Sequence, residues 1–232
     1  MSDAASKLLD YAVEFVTPAD VAKFVPSDPG YPEYVKAWHA ILASREVPRE
    51  LTFAVSETIG LTRWADAKRE SDPERFRRFR VLTSVVALCI ELASEFAVDD
   101  LPSNYSVVSL LDDAVAFQDQ VLVRLSRPVL DEVHRSLSDK GSEEGPFALL
   151  GLLLADAKLG ASEADLSAQA DRLIEQEKQF AGRASADFLF GCSHFDQLTA
   201  KWVSLVRLLV PPATPCLKLV RDAILSRSTA DA

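Results

Sequence analysis

Residues 73–96, PERFRRFRVLTSVVALCIELASEF, decide the fold of this chain. Pro73 and Glu74 predict a helix start, because proline suits the first helical position and an acid suits the first turn. The first half of the stretch is amphipathic, and from Val81 onward it is apolar on nearly all sides. A helix with that pattern is surrounded by other helices. We therefore predict a central buried helix over about Val81–Phe96.

The stretch Phe147–Ala155 has the same apolar character and predicts a second central helix. Helical periodicity covers almost all of the rest, and the alternating β-branched runs that mark strands are missing. We predict an all-α fold, a single multi-helix bundle over residues 1–232 with these two helices at its centre. A break near 141–145, GSEEG, leaves open an arrangement of two packed sub-bundles.

Helix starts can be read at several further positions. In Thr17-Pro18-Ala19-Asp20 a threonine N-cap precedes a proline and an acid, so a helix should begin there. Ser162 and Asp165 have the spacing of a capping box with Asp in the place of Glu. Pro128 is interpreted as a proline in the first turn of a helix.

The composition bounds the classes of function. The 232 residues are 48% hydrophobic, which is enough for a sizeable core, and the formal net charge is −10. A nucleic-acid binder needs a basic surface, so we expect no nucleic-acid partner. Both apolar stretches are shorter than the roughly 18 to 20 residues of a membrane span, so we expect no membrane insertion.

Three cysteines, Cys89, Cys192 and Cys216, lie far apart and form no CxxC pair. That usage is typical of a reducing compartment. The residues after Met1 show neither a basic nor an apolar leader segment. We therefore expect a cytoplasmic protein.

A cluster of four arginines, Arg75, Arg77, Arg78 and Arg80, surrounds Phe76 and Phe79 at the start of the quoted stretch. Cations in the first turns oppose the helix dipole, so negative charge should offset them. Because arginine forks suit phosphate and carboxylate groups, the cluster is a candidate site for an anion or an acidic partner. The interpretation that we favour is a surface neutralised by neighbouring Asp and Glu residues.

Three aspartates, Asp112, Asp113 and Asp119, form a candidate metal site. Adjacent aspartates on a helix resemble the aspartate-rich motifs of isoprenoid diphosphate synthases, and that resemblance implies Mg²⁺ held by carboxylates. The spacing here departs from the family patterns, and a second acidic motif on a facing helix is missing. We favour exposed acids without a metal at these positions.

Other candidate groups are weaker. Cys192 and His194 stand two residues apart, so on a helix they point in different directions and do not form a catalytic pair. Glu57 and Glu91 lie in apolar surroundings and would suggest an acid pair if they faced each other. We expect both at the edge of the core with their carboxylates in water. Phosphate-binding loops and zinc motifs are missing from the sequence, so we expect no cofactor.

Two hypotheses about function follow. The first is a non-enzymatic protein-interaction module with an acidic helical surface, which binds a protein partner or associates with itself. The alternative is a Mg²⁺-dependent all-α enzyme or binder of a phosphorylated or diphosphate ligand. In that alternative the three aspartates hold the metal and the four arginines clamp the anion.

Overall fold

The computed structural model describes residues 1–25, 33–62, 71–93, 110–111, 113–114, 117–139 and 145–173. The chain divides into two compact units, Met1–Asp113 and Ala114–Ala232, and each is described by itself. The described residues are helical and include no strand, so the prediction of an all-α fold is confirmed. The loop 141–144, where the sequence places a break, lies outside the described residues.

The first unit is a set of helices around one long central helix. Its elements are α1 (Asp3–Val13), α2 (Pro18–Phe24), α3 (Glu33–Ser44), a 3₁₀ turn (Arg49–Leu51), α4 (Thr52–Thr62) and α5 (Pro73–Ala93). Helix α5 packs against α1, α2 and α4, while α3 packs against α2 and α4. Every residue of α5 from Val81 to Glu91 is buried, which confirms the prediction of a central helix. The predicted end of that helix, 94–96, lies outside the described residues.

Aromatic rings fill the space between α2, α3 and α5. The ring of Phe24 lies 5.4 Å from that of Phe76 and 5.6 Å from that of Phe79, and the Trp38 and Phe79 rings are 5.5 Å apart. The indole N–H of Trp38 donates to Thr58 Oγ1 at 2.5 Å, so the buried polar edge of the indole is satisfied from α4. The rings join α2, α3 and α5, and the hydrogen bond joins α3 to α4.

Local capping fixes where the first helices begin. The Ser2 side chain accepts the backbone N–H of Ala5 and starts α1. The predicted cap of α2 is present as a full capping box, in which Thr17 Oγ1 accepts from Asp20 N and the Asp20 carboxylate accepts from Thr17 N at 2.7 Å. Two backbone donors that the helix itself cannot use are thereby satisfied.

The second unit contains α6 (Gln120–Asp139), α7 (Gly145–Lys158) and a helix whose described part is 163–173. Helices α6 and α7 pack against each other. The residues of α7 from 148 to 155 are all buried, as predicted for the second central helix. The predicted cap at Ser162 is also confirmed, because its side chain accepts the backbone N–H of Asp165 at 3.2 Å.

The interpretation of Pro128 as a first-turn proline is wrong. Pro128 lies inside α6, eight residues after Gln120. Its ring removes the N–H that would bond to the carbonyl of Arg124. The side chain of Pro128 is exposed, and water can therefore reach the turn that lacks this bond. Helix α6 continues through the proline because its apolar face stays buried, with Leu122, Val129 and Val133 inside.

None of the helices within the described ranges combines the length and the apolar character that crossing a membrane requires.

Candidate functional site

The first arginine of the cluster, Arg75, joins α5 to the capping box of α2. Its Nε donates to Asp20 Oδ1 at 3.0 Å and its Nη2 donates to Asp20 Oδ2 at 2.7 Å. The Asp20 side chain is 8% exposed and therefore needs this compensation for its charge. One carboxylate thus caps α2 and anchors α5, so Arg75 has a structural task within the first unit.

Arg80 holds a second carboxylate in the same bidentate manner. Its Nε donates to Asp113 Oδ2 at 2.8 Å, and its Nη2 donates to Asp113 Oδ1. The side chain of Asp113 is 1% exposed and that of Arg80 is 14% exposed. A charge-assisted pair with this geometry ties the helical residue Asp113 to α5.

The other two arginines of the cluster lie at the surface. Arg78 Nη2 donates to Glu74 at 2.8 Å, one helical turn earlier. Arg77 is exposed and has no ion pair among the residues that the structure describes. Arg75 and Arg80 bind carboxylates on two different elements. The cluster is therefore spread over separate partners within the first unit.

The three aspartates of the candidate metal site have different places. Both oxygens of Asp113 accept hydrogen bonds from Arg80, so a metal ion at Asp113 would have to displace a guanidinium. Asp119 Oδ1 accepts the backbone N–H of Leu122 at 2.9 Å and so caps α6. Asp112 lies outside the described residues, and within the described part no group of three His, Cys, Asp or Glu side chains is arranged to hold a metal.

Of the two glutamates in apolar surroundings, Glu57 and Glu91, the structure describes the side chain of Glu91. Glu91 is 3% exposed, so the interpretation of its carboxylate as lying in water is wrong. The reason is that α5 stays surrounded up to its last turn, which the sequence pattern alone does not show. Glu91 takes part in an interaction of its own. The Glu57 side chain, Cys192 and His194 lie outside the described residues.

The second unit holds a polar network that the sequence did not suggest. Asp156, at the end of the apolar stretch of α7, accepts from Arg127 Nε at 2.8 Å and from Gln169 Nε2 at 2.8 Å. This hydrogen bond with Asp156 raises the pKa of Arg127 further above its ordinary value, although desolvation opposes the shift. A lone acid that follows an apolar run was the available signal, because such an acid needs a buried partner.

One apolar side chain is conspicuously outside the core. Phe53, near the start of α4, is 74% exposed, which is more than the other large hydrophobic residues that are exposed in the described ranges, Met1, Val121 and Leu159. On the same face Ser56 donates its hydroxyl to the carbonyl of Thr52 at 2.8 Å, so the hydroxyl hydrogen is turned back onto the helix. We call Phe53 and Ser56 the docking face. The sequence of α4 mixes apolar and polar residues without a clear apolar side, so it did not reveal which residue faces outward.

Most of the described charged side chains that the sequence suggested as candidate sites thus form ion pairs or hydrogen bonds within their own unit. The ring of Phe53, in contrast, lies mostly outside the core of its unit. Comparison of the chain with protein-family models, with curated proteins and with solved structures found no match.

Proposed function

We propose that this chain is a non-enzymatic helical interaction module that holds a protein partner against the docking face of α4. The exposure of Phe53 carries the proposal. Aromatic residues are enriched at the buried centres of protein interfaces and are depleted from ordinary surfaces. A partner that covers this ring removes a large apolar area from water.

Burial of this ring makes a measurable contribution to affinity. Full burial of a phenylalanine side chain contributes about 1.5–3 kcal/mol. Because Phe53 is 74% exposed in the chain alone, most of this free energy is still available to a partner. Each 1.4 kcal/mol is a factor of ten in affinity, so the ring supplies roughly one to two orders of magnitude.

The non-enzymatic part of the proposal is supported by how the described charges are used. Catalytic groups usually need a pKa tuned to their task and access to a substrate. Asp113 is instead covered by Arg80, and Asp20 is held by Arg75 and by the cap of α2. The alternative, a Mg²⁺-dependent function, stays a prediction and draws no support from these contacts.

The test uses the full chain purified gently by a tag from its own host and examined by native mass spectrometry. Wild type and two variants are compared, Phe53→Ser and Val121→Ser, where Val121 is a second exposed apolar residue at 47% exposure. We expect a stoichiometric second polypeptide with wild type and with V121S, and its loss with F53S. Circular dichroism should show equal helicity for all three proteins.

Two results would contradict the proposal. One is a partner that F53S retains at the wild-type ratio, since the docking face would then have no part in the complex. The other is a bound small anionic ligand or Mg²⁺ in place of a polypeptide, which would favour the alternative function.

A further inference from the structure

We draw no further inference here: the strongest candidate, the polar side-chain cluster of Arg127, Asp156 and Gln169 that joins α6, α7 and the helix at 163–173, binds its members to one another, and nothing among the described residues shows a ligand that it would take.

Discussion

The ion pair between Arg80 and Asp113 gives the sharpest prediction about stability, because its two members differ in burial. The Asp113 side chain is 1% exposed, whereas the Arg80 side chain is 14% exposed and has a long stem. Loss of the arginine therefore leaves a carboxylate that water cannot easily reach. Loss of the aspartate leaves a guanidinium that can turn toward solvent. We predict that Arg80→Met destabilises the protein more than Asp113→Ala does.

The magnitudes follow from the same geometry. Removal of one partner from a buried ion pair typically costs about 3–5 kcal/mol, and we expect Arg80→Met in this range. Asp113→Ala should cost about 1.5–3 kcal/mol, the usual contribution of hydrogen bonds to a charged group, because the guanidinium that remains can still reach water. In a chain of 232 residues, 1 kcal/mol shifts Tm by roughly 2–4 °C, so the two single variants are separable.

The double variant Arg80→Met with Asp113→Ala completes the cycle. It removes both charges, and the flexible methionine side chain can fill the space that the carboxylate leaves. We expect the double variant to be more stable than Arg80→Met alone, so the second substitution restores part of the loss. Urea unfolding followed by circular dichroism measures all four proteins. Additive losses, or equal losses in the two single variants, would refute the reasoning about burial.

Three further predictions test other parts of the two units. Thr58→Val removes the acceptor of the buried Trp38 N–H, so we expect the free energy of unfolding to fall by about 1–3 kcal/mol. Urea unfolding measures this loss, and a change below about 0.5 kcal/mol would contradict the prediction. Pro128→Ala returns an N–H that can bond to the carbonyl of Arg124 within α6, so we expect the free energy of unfolding to rise by about 1–3 kcal/mol. An unchanged Tm would contradict the position of Pro128 in the middle of α6. Burial raises the pKa of the Cys89 thiol from 9.0 to about 12, so the unfolded chain releases this proton at lower pH than the folded chain. Between about pH 9 and pH 11 the free energy of unfolding should therefore fall more steeply in the protein with Cys89 than in the Cys89→Ala variant. Both proteins carry serine in place of Cys192 and Cys216. Parallel curves of the free energy of unfolding against pH would refute the prediction.

The parts of the fold that could be predicted rest on local patterns. The central stretch of α5 and the buried stretch of α7 follow from an apolar pattern within a single helix. The cap at Thr17 involves residues only three positions apart, so the local sequence is enough to predict it. Pro128 shows the limit of this information, since tertiary burial of the apolar face of α6 overrides a local signal for a helix start.

The ion pairs could not be predicted because they depend on how helices pack. Arg80 and Asp113 are 33 residues apart, and Arg75 and Asp20 are 55 residues apart. Asp113 is one of two adjacent aspartates in the sequence, and the local pattern does not distinguish the one that binds Arg80. The sequence shows many acids of equal appearance and gives no means to choose among them.

The same reasoning separates the arginine cluster from the docking face. In a chain with an excess of acid, three of the four guanidinium groups of the cluster bind a carboxylate, and the forks on Asp20 and Asp113 compensate charges that burial would otherwise make unfavourable. The conspicuous charge pattern is therefore a consequence of folding and gives little reason to infer a ligand. Phe53 has the opposite property, because most of its ring lies outside the core and in contact with water. A partner that covers the ring would bury this apolar area, so we seek function at Phe53 rather than among the charges.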